Sequence, residues 1–489
     1  MHAWSDGDVP HYVTSNTSIA QAYAELLLAF FRDRARLQPV DEPFYIVELG
    51  AGSGRFSYHL LKALITLCEQ AMLPAADFVY VMTDFVEDTL VFWEAHPRFI
   101  PLIERGIVDT AFFDAEKSTG LYLRKSKKTI DINSLSQPLI VIANYFFDSI
   151  PQELFYIDGG SVQNVLIEAE QQEETEYTTA KEALEKLAFK YVYEEAGVPS
   201  FKDPVQNLIL KEYQATLQNS HLLFPHTGLD CISRLQALSS QGLMLITADK
   251  GYHRIDELHN LQAPSIIKHG SFSLSSNYHA FKEHCSRLGG RALFTKHPHA
   301  HIEIGCLLYV KDAEEYNETQ LAYIHNINDF GPDEYFTIKK HLDKHAAYLS
   351  VKEMYAFLRL SGCDARLFQQ FIPRFRARKQ EFTEEERYTF LQMAATAWEG
   401  YYPIGENEDL AFDIATLLHE LGFYTEALSF FLLSQQLYGK TTDLLYNTVT
   451  SYIALGNIGQ AKLLLHEILQ LAPGSKEALE LLEAMAGLE

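Results

Sequence analysis

The sequence predicts an α/β protein: a Rossmann-like, mostly parallel sheet with helices on both faces, followed by an all-α C-terminal helical-repeat domain. Three observations predict it. Short apolar runs alternate with helical segments from residue 44 to about residue 310. A glycine-rich turn, Gly50-Ala51-Gly52-Ser53-Gly54, follows the first of those runs without a break. From about residue 335 the apolar spacing is helical throughout, and an internal repeat occupies the last ~85 residues.

Taken in order, residues 18–37 carry helical periodicity behind Ser15 or Asn16 as N-cap, and Pro39 to Pro43 break it. Residues 44–49 read as a buried strand, the glycines as its exit, and 55–71 as the following helix. Residues 78–83 read as a second strand, 86–96 as a helix, 107–113 as a short third strand and 138–143 as a fourth. The rhythm then stops. Residues 160–235, with an acidic stretch from Glu168 to Glu176 and helical segments, read as an insertion before a fifth strand at 242–248. Residues 277–289 look helical, and 302–310 look like a late strand at the sheet edge. The expected domains are 1–335, a helical connector at 336–400, and repeats at 401–489. Leu418 to Gly422 with Ala427 recurs as Tyr452 to Gly456 with Ala461, an offset of 34 residues (456 minus 422). That period, with Pro473 closing the unit, resembles a tetratricopeptide repeat, and residues 380–400 are a candidate degenerate third unit.

Composition narrows the function. Forty Lys and Arg against 65 Asp and Glu give a net charge of -25, which repels phosphate backbones and argues against a nucleic-acid partner. The two short basic clusters, Arg124 to Lys128 and Arg374 to Lys379, read as solvated faces. Five scattered cysteines without a CxxC pair fit neither a disulfide framework nor a zinc ribbon, and they suit a reducing cytoplasm. The chain opens on His2, Asp6 and Asp8 rather than a basic-then-apolar leader, and no apolar run reaches the ~20 residues that span a bilayer. A cytoplasmic protein without a membrane partner is therefore expected.

The glycine turn carries the chemistry. Glycines let the chain leave the strand tightly and let a ligand approach the backbone, and the next helix offers its free N–H groups. The spacing, Gly50-x-Gly52-x-Gly54, differs from the G-x-G-x-x-G of dinucleotide sites. Glu48, two residues before Gly50, can pair with a methionine ammonium. Asp84 ends the second strand, with Phe85 behind it, and can accept ribose hydroxyls. Asp114, followed by Ala115, ends the third and can meet an adenine amine. Acidic residues at three successive strand ends resemble the class I methyltransferase pattern and predict S-adenosyl-L-methionine as cofactor, held by Glu48, Gly50, Ala51, Gly52, Gly54, Asp84, Phe85, Asp114, Ala115 and Asn144.

Residues 139–155, with Asn144-Tyr145-Phe146-Phe147-Asp148-Ser149-Ile150-Pro151 at their centre, resemble the fourth-strand motif of the MidA family, the group that includes the mitochondrial complex I assembly methyltransferase. Tyr12-Val13-Thr14-Ser15 and Asp249-Lys250-Gly251-Tyr252 resemble that family's flanking segments. The likeness covers about residues 10–310 by scattered motifs and leaves the repeat tail outside. It implies a protein substrate and arginine N-methylation. The family's glutamate after the asparagine is Tyr145 here, which puts arginine specificity in doubt, and Glu153 is near enough in sequence to substitute.

Methyl transfer is an in-line displacement at an activated sulfonium carbon, so alignment and exclusion of water matter most. The expected catalytic residues are Asn144, positioning through its amide, Asp148, orienting an incoming nitrogen or else capping a helix, and Tyr145, shaping the pocket or facing a cation with its ring. The expected partner is a protein or peptide recruited by the repeats. A small-molecule methyltransferase with a repeat-mediated homodimer, and a non-catalytic assembly factor, are the alternatives. His297, His299 and His301 alternate as on one face of a strand, but no acidic or cysteine ligand shares their spacing, so no metal is expected. His279 is a weaker candidate base.

Overall fold

The computed structural model describes residues 12–39, 41–72, 78–171, 187–194, 199–264, 267–268 and 272–485. His2, Asp6, Asp8, Glu173, Glu174 and Glu176 lie outside them. The chain divides into two compact units, Met1–Lys339 and Lys340–Glu489.

The first unit is built on helix α1 (Thr17–Leu37), strand β1 (Phe44–Glu48), α2 (Arg55–Gln70), β2 (Phe78–Asp84), α3 (Glu87–Ala95), β3 (Val108–Phe112) and β4 (Leu139–Asn144). Asn16 starts α1 as expected, its side chain accepting the Ile19 amide. After β4 the chain leaves the main sheet for β5 (Glu153–Asp158), β6 (Ser161–Gln171) and β7 (Leu187–Glu194). Helix α4 (Pro204–Thr216), β8 (Ser220–Phe224) and α5 (His226–Gln236) lead to β9 (Leu243–Asp249). Short strands β10 (Gly251–Tyr252) and β11 (Ser276–Asn277), helix α6 (Tyr278–Arg287), β12 (Arg291–Leu293) and β13 (Glu303–Tyr309) complete it.

The main sheet has seven strands in the order β12-β13-β9-β4-β1-β2-β3. Strands β3, β2, β1, β4 and β9 run parallel, β13 is antiparallel to β9, and β12 is antiparallel to β13. Every residue of β1, β9 and β13 is buried, as expected of strands covered on both faces. One face packs Val47, Val81, Val141, Leu245 and Leu307 against Ile209, Ile232 and Phe281 of α4, α5 and α6. The other face takes α1, whose Phe31 ring stacks on Phe44 with centroids 4.5 Å apart. Each such side chain contributes roughly 1.5–3 kcal/mol of burial. At Gly242, φ is +90°, and a Cβ there would overlap the Tyr309 carbonyl oxygen, so only glycine lets β9 begin against the end of β13.

One expectation changes and another is extended. Strand β13 is not at the edge, because β12 pairs outside it. The segment between the fourth and fifth main strands holds the expected helices, α4 and α5, and adds a second antiparallel sheet, β8-β5-β6-β7. The alternation in Leu154-Phe155-Tyr156-Ile157, with Tyr156 partly exposed, carries that sheet.

The second unit is all-helical. Within it α7 (Leu410–Glu420), α8 (Tyr424–Tyr438), α9 (Thr442–Ala454), α10 (Ile458–Leu471) and α11 (Lys476–Met485) stack in sequence. Tyr424 and Ile458 open equivalent helices 34 residues apart (458 minus 424). Gly422 and Gly456 hold left-handed φ of +91° and +74° at the two equivalent turns. Ala427 and Ala461 are both fully buried where the paired helices meet. Residues 380–400 hold one α-helix, Glu384–Gly400, behind the end of a short 3-10 turn, Lys379–Glu381. The basic cluster before it is paired, with Arg376 and Lys379 on Glu420 and Arg378 on Glu381.

Candidate active site

In an open parallel sheet ligands sit outside the carboxyl ends of the strands, where the strand order reverses. Here that point lies between β1 and β4, which are neighbours in space but far apart in sequence. The residues around it come from two sides.

On the β1–β2–β3 side, Gly50, Gly52 and Gly54 have φ of +63°, +55° and +81°, a path closed to ordinary side chains. The loop is pinned by its neighbours. The Leu49 amide donates to the Ile142 carbonyl at 2.8 Å, the Ala51 amide to Thr83 at 3.0 Å, and the Trp93 indole N–H to the Gly52 carbonyl at 3.0 Å. Gly54 caps α2, so that helix points its N-terminus at the crevice.

Glu48 is 4% exposed. The hydroxyls of Ser57 and Tyr80 donate to its Oε2, at 2.5 and 2.7 Å. Burial still dominates and pushes its carboxyl up to about 7. Asp84 at the end of β2 accepts the Val86 amide at Oδ1, 3.0 Å, and burial raises its pKa. Phe85 beside it is 72% exposed, an open ring face over the end of the sheet. Asp114 is the least free of the three. Its Oδ1 accepts the Glu116 amide at 2.9 Å and its Oδ2 pairs with Lys117 at 3.2 Å, so its side chain shapes the turn that presents Ala115. Ala115 is itself partly exposed.

On the β4–β9 side, Asn144 ends its strand with Oδ1 accepting the Tyr23 hydroxyl at 2.9 Å, while its Nδ2 is buried without a partner among the described residues. Tyr145 follows with φ of +49°, left-handed for a bulky residue, and its amide donates to the Ala248 carbonyl at 2.9 Å. That kink is a strain of about 1–2 kcal/mol of the sort found at functional sites. Asp148 caps no helix, because a turn and then β5 follow it. Its amide donates to Asp249 Oδ2 at 3.0 Å, and Ser149 Oγ donates to its Oδ1 at 2.7 Å. Asp249 also accepts from Ser276 Oγ at 2.9 Å and from the Lys250 amide at 2.8 Å. Burial raises the pKa of both carboxyls, and the charge of Asp148 raises that of Asp249 further. The Tyr145 phenol, buried beside them, is pushed up and stays protonated.

Glu153 is exposed at the start of β5 in the second sheet. His279 is buried against the Tyr213 hydroxyl, 2.8 Å from its Nδ1, and burial lowers its pKa to about 4, so it stays neutral. The alternating histidines do not share a strand face. His297 meets the Asn328 carbonyl, His301 packs on Phe336, and His299 turns to Glu303. Among the described residues no group of three metal-ligating side chains is found, and no helix is long and apolar enough to cross a membrane.

Sequence reasoning missed Tyr23, Ser57 and Tyr80 as the hydroxyl lining of Glu48 and Asn144, and it did not give Asp249 a place in the site. Asp249 carried a visible signal, an acid closing the apolar run 243–248. The hydroxyls carried none, since each sits on a different element.

No protein-family model matches the chain, and no curated protein matches it in sequence. Among solved structures it is similar to a COG1565 superfamily member from Burkholderia thailandensis bound to S-adenosyl-homocysteine, at 14% identity and TM-score 0.37, over 58% of this chain and 64% of that one. It is also similar to an uncharacterized COG1565 superfamily protein from the same organism, at 11% identity and TM-score 0.39, over 64% and 84%. A third is the CurJ carbon methyltransferase, at 9% identity and TM-score 0.27, over 58% and 54%. At such identities the site is read from this chain's own residues.

Proposed function

We propose that the chain is an S-adenosylmethionine-dependent methyltransferase that N-methylates a lysine or arginine side chain of a protein, with the C-terminal helix pairs recruiting that protein. One observation carries the reading. A three-glycine, left-handed loop lies between a buried acid, Glu48, and a helix N-terminus, with a second acid, Asp84, at the adjacent strand end. The residues fit the cofactor. Gly50 leaves a cradle whose added Cβ would reach 3.4 Å from the Phe146 ring, and Asn144 Nδ2 is a buried donor in want of an acceptor.

Bound there, the cofactor supplies a methyl group on a sulfonium. Glu48 would face its ammonium, the Gly52 to Gly54 amides its carboxylate, and Asp84 its ribose hydroxyls. Phe85 and Ala115 would cover the adenine, and Asp114 would hold the turn beneath it. Tyr23 fixes the amide of Asn144 by donating to its oxygen, which aims the Nδ2 protons at the crevice. Asp148 offers negative charge for an incoming nitrogen, with the buried Asp249 behind it holding its amide, and the Tyr145 ring walls that path. Preorganised groups of this kind align the nucleophile.

The test is calorimetric titration with S-adenosylmethionine, with NAD as control. Saturable binding that is lost in Asp84→Ala supports the reading. A folded protein that binds neither ligand removes it.

A further inference from the structure

Beyond Asp249 the same end of the sheet holds a cluster that the cofactor reading leaves unused. Glu303 opens β13 directly opposite Asp249, which closes β9, so the two side chains leave one face of the sheet. Glu303 is fully buried. Its Oε1 accepts the Thr295 hydroxyl at 3.2 Å. Its Oε2 meets two imidazoles, His253 Nδ1 at 2.9 Å and His299 Nδ1 at 2.8 Å.

A carboxylate accepts only, so each ring has its proton on Nδ1, and in the neutral ring Nε2 is the bare nitrogen. Among the described residues no protein group pairs with either Nε2. The two rings differ in access. His253 is stacked flat on Phe294, centroids 5.0 Å apart and 4° between planes, and its side chain is 6% exposed. The His299 side chain is 17% exposed.

We propose that His299 is the proton acceptor of this site, and that the methyl acceptor is therefore an amine, a lysine side chain or its equivalent, rather than a guanidinium. The assignment rests on the methyltransferase reading above. An amine arrives as an ammonium and has no lone pair until a proton leaves; a guanidinium holds its proton far too tightly for an imidazole to take it first. In the step, the ammonium N–H proton passes to His299 Nε2. The freed nitrogen lone pair then forms the N–CH3 bond as the C–S bond breaks, and that electron pair stays on sulfur as a neutral thioether. The ammonium's charge passes with its proton to the imidazole, where Glu303 balances it, and the sulfonium's charge ends on the methylated nitrogen, which leaves as a secondary ammonium. His253 is a positioning residue, holding Glu303 from the other side.

The charges that bear on His299 come from three elements besides the loop carrying His253. They are Glu303 on β13, Glu257 in the turn Ile255–Leu258, and Asp333 in the first turn of the helix Pro332–His345. Burial works against the imidazolium, yet Glu303 leads a net rise above the ordinary histidine value. Asp333 acts on Tyr145 as well as on His299, which places the cluster and the β4 kink in one electrostatic neighbourhood.

The test uses the full chain labelled at histidine and a cofactor analogue with an amine in place of the methylsulfonium, compared with neutral S-adenosylhomocysteine. The His299 ring resonance, assigned by its loss in His299→Gln, is titrated by NMR. Should that variant misfold, the pH dependence of His299 carbethoxylation, read by mass spectrometry on the unaltered protein, gives the same titration. The amine analogue is expected to lower the His299 pKa by about one unit, since a cation beside it disfavours the imidazolium, and the homocysteine form to leave it in place. An unchanged titration with the analogue bound overturns the assignment while leaving the methyltransferase reading intact. An analogue that does not bind calorimetrically removes both.

Discussion

The two halves of the sheet end solve different problems. On the β1–β2–β3 side the site is made mostly by backbone: three left-handed glycines, a helix N-terminus, and two strand-end acids, Asp84 and Asp114, whose partners lie within a few residues, with Glu48 the exception on Ser57 and Tyr80. On the β4–β9–β13 side it is made by side chains that meet across long stretches of sequence. Asp148 meets Asp249 across 101 residues, Asn144 meets Tyr23 across 121, and His253 meets Glu303 across 50. Backbone sites are robust and general, and suit a ligand shared by many enzymes. Side-chain sites are exacting, and suit an acceptor particular to one.

The comparison breaks most visibly at Gly242. Gly242→Ala combines a Cβ clash with a positive φ and is expected to cost about 3 kcal/mol or more, with the loss falling on the β9–β13 pairing. Thermal melts check the cost, and hydrogen exchange in β9 and β13 checks its place. A variant as stable as the parent would mean that β9 starts differently.

Glu48 gives the next effect. Its carboxyl, near 7 in the folded chain, stays protonated between 4.5 and 7 while the unfolded chain ionises, so stability falls as pH rises through that window, by about 3 kcal/mol in all. Glu48→Gln should flatten the dependence of Tm on pH and raise Tm at pH 8. Cofactor affinity in the parent should weaken as pH falls below about 7, because the ammonium needs the ionised form.

Asp84→Ala comes third. Removing a charged acceptor of two hydroxyls should weaken S-adenosylmethionine binding by about 2–3 kcal/mol with little change in Tm. Smallest is Lys125→Ala, at a partly exposed pair with Glu94, which should alter neither binding nor stability by more than about 0.5 kcal/mol.

The same division decides what the sequence makes legible. The run Val47 to Gly54 shows strand, turn and helix at once, because the information is local. Asn144, Tyr145 and Asp148 were visible as a segment, but not the shape they take. The left-handed φ of Tyr145 and the turn that frees Asp148 from capping depend on the pairing with β9. The second sheet was hidden because the alternation in β5 is short and follows a segment read for its motif. Glu303 was passed over inside an apolar run, although a lone acid among Ile302, Ile304 and Cys306 is itself a sign of a buried partner.

The 34-residue offset of the C-terminal helices has a further consequence. Leu421 is 6% exposed, while Leu455, in the equivalent place one unit later, is 46% exposed. Stacked helix pairs couple only to their neighbours, so cohesion is a nearest-neighbour sum rather than one global quantity. Amide protection should therefore decline stepwise from α7 to α11. A partner that seats across several units would be felt first at the far end, as a stiffening of the last helix rather than a rise in the melting point of the whole chain.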